Sequence, residues 1–326
     1  MMTTIGSATR SGLGIADVRV AAERISGLVR RTPLLALGSN LLVKGEHRQH
    51  GGSFKLRGAA NAMVVLRPAA VVTGSSGNHG IAVATIGAAC DIPVTVVMAA
   101  GTSEAKARAI RARGARVVHV EGGVTERERR ARSIADRTGA VYLPSSDHEL
   151  VVAGAGTVGL EVAEDAPDIT TIFVPTGGGG LLAGVCLAVD AFDNPVRVVG
   201  VEPVHTRRYA ISIAAGGPVE LPPSSTIADG LRGQRPGAVP LPIIRRRVDE
   251  LIGVTDDAIV HALGVLRAAG VAAEPSGAVA LAGAMQAGCG GHAVAVVSGG
   301  NTSEVLSAAP RTFDERKHND YNYRRV

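Results

Sequence analysis

Four short segments contain residues whose types and spacing could do chemistry. They are HGGSFKLRG at 50–58, TGSSGNHG at 73–80, PTGGGG at 175–180 and VVSGGN at 296–301. Between them they provide a lysine amine, serine hydroxyls, histidine and many glycine N–H groups. Such a set suits the binding of a small anionic ligand and the formation of an imine with a carbonyl group.

The glycine run Gly177, Gly178, Gly179 and Gly180 is the clearest candidate for an anion site. It follows a predicted strand at 171–174 and opens a predicted helix. Consecutive glycines let backbone N–H groups turn toward a ligand, and the partial positive charge of a helix N-terminus favours phosphate. No Gly-Lys-Ser/Thr follows, so the loop is not a Walker nucleotide loop. The alternative interpretation is a flexible turn without a ligand.

Two other segments also follow predicted strands. TGSSGNHG presents the polar side chains Ser75, Ser76, Asn78 and His79 before a predicted helix, which suits a carboxylate or, alternatively, an ordinary helix cap. Ser298 ends a further strand and would present its hydroxyl at the sheet edge where open α/β sheets bind ligands.

Lys55 follows two glycines and a serine and begins a predicted helix. Most lysines are solvated surface charges. A lysine held beside a partly apolar loop loses its proton more readily, and the neutral amine can form a Schiff base. The neighbouring segments decide between these two interpretations.

The elements that must position these segments alternate regularly. From residue 71, strand and helix patterns follow one another every dozen residues or so, which predicts parallel strands with right-handed crossovers. The pattern recurs after residue 149 with different spacing. We therefore predict an α/β fold with two open, twisted, mostly parallel sheets flanked by helices. The predicted domains are a large one, residues 1–60 and 149–326, and a small α/β one, residues 61–148.

One glycine motif is misleading. GAGTVG at 154–159 matches the G-x-G-x-x-G pattern of dinucleotide sites. That pattern needs a preceding strand and an acidic residue about 20 positions later. Here the preceding residues HELVVA are typical of the first turn of the same helix, so we predict a helix and no dinucleotide site.

Composition narrows the class of protein. The 326 residues carry a formal net charge of +5, and aromatic residues make up only 2%. With few rings to stack on bases, the arginine-rich helices predict solvated surfaces rather than nucleic-acid binding. No segment approaches the roughly 18–20 apolar residues that a membrane span needs. Cys90, Cys186 and Cys289 lack CxxC spacing and the N-terminus lacks an apolar signal region, so we expect free thiols and a cytoplasmic location.

Taken in order, the motifs resemble the serine/threonine dehydratase family of fold-type II pyridoxal-phosphate (PLP) enzymes, which also contains serine racemase. The similar stretches run from about residue 30 to residue 301 and include GGSFKLRGAANAM, SSGNHG, ELVVAGAGTVGLEV, VPTGGGGLLAG, VGVEP, TIADGL, EPSGAVALA and VVSGGN. The resemblance implies the tryptophan synthase beta-like fold, pyridoxal 5'-phosphate as cofactor, a small-molecule amino-acid substrate and a homodimer.

The resemblance also implies a role for each candidate residue. Lys55 would carry the cofactor, and the N–H groups of residues 177–180 would hold its phosphate. Asn78 would be the partner of the ring's 3-oxygen, and Ser298 the partner of the pyridine nitrogen. Ser76 aligns with the opposite-face acid/base of serine racemase. The substrate carboxylate would be held by Ser75, Ser76, Asn78 and His79.

The sequence departs from the family's pattern in three places, at two single residues and in one shortened stretch. Gly51 stands where the family usually has threonine, and the stretch between Pro33 and Lys44 is shorter than usual by roughly one or two turns of helix. Family members with a divalent cation take ligands from a glutamate after GV and from an acid six residues later. Glu202 is present, but the second position is Arg208, so we predict no metal site.

The expected reaction is β-elimination from a β-hydroxy amino acid, first of all L-threonine or L-serine, to give a 2-oxo acid and ammonia. The amine of Lys55 would take the Cα proton. Alternatives of the same class are serine racemase, a dehydratase for hydroxyaspartate or for an intermediate of hydroxyectoine breakdown, and a β-replacement enzyme. Alternatives of other classes are a binding protein that has lost catalysis and a nucleic-acid binder.

Overall fold

The computed structural model describes residues 12–288 and 291–307, and their strands form two sheets. The six-stranded sheet has the order β1-β2-β10-β7-β8-β9 and the four-stranded sheet the order β5-β4-β3-β6. The strands of the first sheet are β1 (Leu34–Ala36), β2 (Leu41–Gly45), β7 (Thr171–Pro175), β8 (Arg197–Pro203), β9 (Glu250–Val254) and β10 (Ala293–Val297). Those of the second are β3 (Val71–Gly74), β4 (Val94–Ala99), β5 (Arg116–Val120) and β6 (Val141–Tyr142).

Helices connect the strands and cover the sheets. They are α1 (Ile15–Ile25), α2 (Lys55–Leu66), α3 (Asn78–Ala89), α4 (Glu104–Arg111), α5 (Val124–Thr138), α6 (Glu149–Asp165), α7 (Gly180–Ala188), α8 (Arg208–Ala214), α9 (Pro240–Arg247), α10 (Asp256–Ala268), α11 (Pro275–Ala287) and α12 (Ser303–Ser307).

Among the strands of the described ranges, β1 and β2 pair antiparallel and every other pair is parallel. Successive side chains of a strand point to opposite faces, so a parallel strand between two helical layers is apolar throughout. In β10, Val294 and Val296 pack with α6 and α7, whereas Ala295 and Val297 pack with α10 and α11. The predicted fold class is confirmed.

The smaller sheet is covered in the same way. Val71 and Val96 pack with α2, α3 and α4, and Val72 and Val97 pack with α5. The sheet's strands fall within residues 71–142. The predicted boundaries of the two domains stay a prediction.

Local predictions differ from the structure at a few places. The first helix ends at Ile25, and Val29 lies just after the turn that follows. The short elements α8, α9 and β9 were not predicted. The GAGTVG motif lies within α6, as predicted, and its glycines serve packing: a Cβ on Gly156 would lie 2.8 Å from the carbonyl oxygen of Gly184 in α7.

The structure also bears on the predictions about the cysteines and about membrane spans. Cys90 and Cys186 are free thiols, whereas Cys289 lies outside the described residues. Among the helices of the described ranges, none combines the length and apolarity needed to cross a membrane.

Three of the four chemical segments follow strands of the six-stranded sheet, and the fourth, TGSSGNHG, follows a strand of the smaller sheet. TGSSGNHG, PTGGGG and VVSGGN follow the carboxyl ends of β3, β7 and β10, and HGGSFKLRG follows β2 by a short connection. Because β2, β10 and β7 are adjacent and parallel, their loops leave the six-stranded sheet at one edge.

Candidate active site

The segment that carries Lys55 is joined to the loop after β10 by backbone contacts. Ser53 forms an isolated bridge with Gly299, and the N–H of Phe54 donates to the carbonyl of Ser298 at 3.0 Å. Asn78 of α3 reaches the same place, since a Cβ on Gly299 would lie 3.0 Å from its Nδ2. The structure thus brings three predicted segments into contact.

Lys55 is the first residue of α2 and is partly buried. Its Nζ donates to the carbonyl oxygen of Ser145 at 2.6 Å and lies 5.0 Å from the ring centroid of Phe54. Within the described residues, no carboxylate forms an ion pair with it. Burial lowers the pKa of Lys55 to about 8. A substantial neutral fraction near neutral pH is what imine formation and proton transfer require.

The glycine loop forms a row of backbone donors. No acceptor in residues 12–288 or 291–307 takes the N–H groups of residues 177–180. Gly179 has φ +89°, and a Cβ there would overlap the hydroxyl of Tyr209. That hydroxyl donates to the carbonyl of Gly178 at 2.8 Å, and this carbonyl is trans to the free N–H of Gly179 in the same peptide unit. This arrangement suits a phosphate group.

Asn78 is held at both ends of its amide. Its Oδ1 accepts from Nδ2 of Asn301 at 2.8 Å, and its Nδ2 donates to Glu274. The other N–H of Asn301 donates to the carbonyl of Gly51 at 2.8 Å. Burial raises the pKa of Glu274 to about 7. One hydrogen of the Asn78 amide stays available for a ligand.

The two serines after β3 accept hydrogen bonds from different partners. The Oγ of Ser75 accepts from the N–H of Gly77 at 3.3 Å. The Oγ of Ser76 accepts from the N–H of Ala99 at 3.0 Å and from Nη1 of Arg127 at 3.3 Å. Both hydroxyl hydrogens remain to be donated. The guanidinium of Arg127 is a cation beside Ser76 that sequence reasoning did not identify.

His79 is buried and uncharged. Burial and the charge of Lys55 lower the pKa of His79 to about 3. Its Nε2 lies 3.2 Å from the carbonyl of Leu143, so the neutral ring donates from Nε2. In the part of the chain that the structure describes, no acceptor takes the N–H groups of Asn78 and His79 at the start of α3. A carboxylate here would meet backbone donors rather than an imidazolium.

Ser298 follows β10 and is buried. Its Oγ is 3.4 Å from the carbonyl of Ser276, which is long for a hydroxyl hydrogen bond. The hydroxyl therefore has only a weak bond to give up for a ligand atom.

Gly51 has a conformational reason to depart from threonine. Its φ is +72°, in the left-handed region that a β-branched residue avoids. A Cβ there would also lie 3.2 Å from Oγ1 of Thr85. The shortened stretch between Pro33 and Lys44 forms the antiparallel β1–β2 pair.

Five residues of the site were not predicted to have a role. Glu274 and Asn301 stand in the quoted motifs EPSGAVALA and VVSGGN, which is a signal that could have identified them. Ser145, Arg127 and Tyr209 lie outside every quoted motif and reach the site only through the fold.

Glu202 and Arg208, at the positions where some family members would bind a divalent cation, do not fit such an ion. Glu202 already accepts from the N–H groups of Tyr209 at 2.9 Å and Ala210 at 3.1 Å. The buried guanidinium of Arg208 adds a fixed positive charge. Among residues 12–288 and 291–307, no group of three or more His, Cys, Asp or Glu side chains is placed to hold a metal.

Comparison with known proteins gives a consistent set of relatives. The family model described as pyridoxal-phosphate dependent enzyme matches residues 25–309. Serine racemase from Oryza sativa subsp. indica is 37% identical over 283 residues, with 83% of each chain covered. L-threo-3-hydroxyaspartate ammonia-lyase from Pseudomonas sp is 36% identical over 278 residues, covering 82% of this chain and 87% of the relative. The solved threonine deaminase of T.th. has a TM-score of 0.84 and 36% identity, covering 89% of this chain and 99% of that one.

Proposed function

This chain belongs to the pyridoxal-phosphate dependent enzyme family, with PLP as its cofactor, and from that premise we propose that it dehydrates and deaminates a β-hydroxy amino acid. L-threonine and L-serine are the first candidate substrates, and the products are a 2-oxo acid and ammonia. As further proposals, the enzyme is a cytoplasmic homodimer that binds neither nucleic acid nor membranes.

The residues of the site fit PLP. The free N–H groups of residues 177–180 would hold the phosphate, and the lowered pKa of Lys55 suits its attachment to the cofactor aldehyde. The spare N–H of Asn78 and the hydroxyl of Ser298 would meet the 3-oxygen and the ring nitrogen. Bound PLP supplies an electron sink for bonds broken at the substrate Cα.

The observation that carries the proposal is the surroundings of Lys55. Its amine has a pKa of about 8 and is directed to the Ser145 carbonyl, one residue from Ser146, which contacts the glycine loop. An amine with such a pKa both accepts and returns protons near neutral pH, so Lys55 can take the Cα proton. Ser75, Ser76 and the N-terminus of α3 would bind the substrate carboxylate.

Ser298 favours elimination over reactions that need a long-lived charge at Cα. A neutral hydroxyl at the ring nitrogen, unlike a carboxylate, does not stabilise a protonated ring. The β-hydroxyl would then leave as water soon after Lys55 has taken the Cα proton, and Lys55, which both accepts and returns protons, can supply the proton that this requires.

A second candidate function is racemisation of serine. The contact of Ser76 with Nη1 of Arg127 supports it, because a guanidinium beside a hydroxyl favours loss of the hydroxyl proton. Ser76 would then exchange a proton at the face of Cα opposite Lys55. Serine racemases are among the relatives.

The test is product release by the PLP-saturated enzyme over a panel of substrates. The panel contains L-threonine, L-serine, L-threo-3-hydroxyaspartate and hydroxyectoine-derived candidates, with 2-oxo acid, ammonia and D-serine measured. We expect 2-oxo acid and ammonia from one member, and a loss of at least about 10³-fold in Lys55→Ala. Lys55→Arg is the matched control, since it keeps the charge but cannot form the imine, and it should be equally inactive.

Two outcomes would contradict the proposal. D-serine without 2-oxo acid would make the enzyme a racemase. Undiminished 2-oxo acid release by both Lys55 variants would remove Lys55 from the chemistry.

A further inference from the structure

Arg208 is fully buried and poorly paired. Its Nη2 donates to the carbonyl of Leu231, whereas its Nε and Nη1 have no partner among the described residues. Burial lowers the pKa of Arg208. A buried guanidinium usually has carboxylates around it, because an uncompensated buried charge is strongly unfavourable.

The nearest compensating charge is that of Glu202, at the end of β8. Burial raises the pKa of Glu202, while two backbone N–H bonds and the charges of Arg208 and Arg207 lower it. Glu202 and Arg208 form no direct ion pair within the described residues, so their charges act across a short gap. A compact region thus contains the carboxylate of Glu202, the carbonyl oxygen of Leu231 and the buried cation of Arg208, and Arg207 adds a second positive charge.

This region supports the glycine loop from two sides. The side chain of Leu231, whose carbonyl Arg208 holds, lies against Gly177, where a Cβ would come within 2.8 Å of Cδ2. Tyr209, the next residue of α8, holds the carbonyl of Gly178 at 2.8 Å and accepts from the N–H of Gly237 at 3.1 Å. The start of α8 therefore positions the N–H groups of the glycine loop that would hold the phosphate of bound PLP.

We propose that the guanidinium of Arg208 is a built-in cation that takes the place of a divalent cation between Glu202 and the Leu231 carbonyl, and so positions the glycine loop without metal. Arg208 is a positioning residue, because it acts through Leu231 and Glu202 and not on the substrate. The inference goes beyond the proposed function: it concerns cation dependence and cofactor affinity, whichever amino acid is the substrate.

The proposed role of the Arg208 charge can be tested by replacing this arginine with a residue that can bind a metal ion. Arg208→Asp places a second carboxylate beside Glu202 and the Leu231 carbonyl, which gives three oxygens suited to Mg²⁺, Mn²⁺ or Ca²⁺. We expect a lower melting temperature of the PLP-bound Arg208→Asp variant in EDTA, and recovery in millimolar Mg²⁺, Mn²⁺ or Ca²⁺. The matched variant Arg208→Met should be destabilised without any recovery.

A second experiment uses the wild-type holoenzyme, so its result does not depend on the folding of any variant. We expect its melting temperature and its Kd for PLP to be the same in EDTA and in each divalent cation. Loss of one charged hydrogen bond should weaken PLP binding by about ten- to a hundredfold in Arg208→Met. Arg208→Lys keeps the charge and should lie closest to the wild type.

Two results would overturn the inference. Stabilisation of the wild type by a divalent cation would show a cation site beside Arg208. An Arg208→Asp variant that responds to cations no more than Arg208→Met would show that Arg208 does not stand in a cation's place. Melting and PLP titration need no turnover, so a failure of the proposed β-elimination would appear separately, as lack of product from a PLP-bound enzyme.

Discussion

Lys55 and Arg57 stand on the first turn of α2, but their surroundings differ. Arg57 is fully buried, with its Nε 2.8 Å from Oε2 of Glu46 and its Nη1 2.6 Å from Oε1 of Glu161. Lys44 completes the group, with its Nζ 2.6 Å from Oε2 of Glu161. We call Lys44, Glu46, Arg57 and Glu161 the paired cluster. Although burial acts in the opposite direction, the two carboxylates raise the pKa of Arg57.

On the active-site side of α2, neither Lys55 nor Glu274 has an ion-pair partner among the described residues. Lys55 has a neutral carbonyl as its hydrogen-bond partner, and Glu274 has the neutral amide of Asn78. Burial therefore dominates and moves both pKa values toward neutrality, to about 8 and about 7. The paired charges of Arg57 hold α2 in place, whereas the unpaired amine of Lys55 and carboxyl of Glu274 are left with pKa values suited to proton transfer.

The largest effect on stability is expected in the paired cluster. Arg57→Met leaves Glu46 buried without its main partner and Glu161 with only Lys44, so the free energy of unfolding should fall by about 3–5 kcal/mol. Urea denaturation of the PLP-bound enzyme measures this change. Arg137→Met, on the exposed side of α5, is the matched control and should change stability by no more than about 0.5 kcal/mol. Equal effects of the two substitutions would contradict the distinction between the regions.

At Lys55 we expect a substitution to raise the free energy of unfolding rather than to lower it. In protein stripped of PLP, Lys55→Met removes a partly buried ammonium that has no ion-pair partner among the described residues, so the free energy of unfolding at pH 7 should rise. The shift of the pKa from 10.5 to about 8 sets an upper limit of about 3 kcal/mol.

The stability gained by Lys55→Met should change with pH in a definite direction. The unfolded chain holds the lysine proton up to about pH 10.5 and the folded protein only up to about pH 8, so wild-type stability rises with pH between these values. The advantage of Lys55→Met should therefore be complete below pH 8 and disappear toward pH 10.5. A variant less stable than the wild type at pH 7 would show that the ammonium is well solvated in the folded state.

Much of the fold could be predicted because the strands and helices carry regular apolar patterns. β10 is apolar at every position, and α6 has a long apolar run, so the sequence predicts a strand before Ser298 and a helix around GAGTVG. β9 was missed because it is only partly buried and carries no continuous apolar run. α8 has seven residues, too few for a helical period to be recognised.

The site was predictable only where its residues share a local motif. The glycine loop and Asn78 stand in such motifs, and the structure places both at the site. The carbonyl that holds Lys55 belongs to Ser145, 90 residues further along the chain. Arg127 and Tyr209 likewise reach Ser76 and Gly178 through tertiary contacts. Such partners follow from the packing of α5 and α8, which no local pattern encodes.

The smallest expected effect is a change in the pH dependence of the unfolding free energy. It is tested at one carboxyl group from each region, Glu274 and Glu161. Because burial raises the pKa of Glu274 from 4.5 to about 7, the folded protein holds its proton more tightly than the unfolded chain does. Its contribution to stability is complete below pH 4.5 and is lost as the pH rises through about 7. Glu274→Gln should therefore reduce the fall in unfolding free energy between pH 5 and pH 7 by about 1–2 kcal/mol, measured by urea denaturation of PLP-free protein.

Glu161→Gln is the matched variant for the paired cluster and should behave differently. Arg57 and Lys44 outweigh burial and lower the pKa of Glu161, so this carboxylate stabilises the protein above pH 4.5 and its contribution is lost as the pH falls. Glu161→Gln should therefore destabilise the protein at pH 7 and leave the slope between pH 5 and pH 7 unchanged. If both variants altered that slope equally, Glu274 would be compensated as fully as Glu161, and the contrast between the two sides of α2 would not hold.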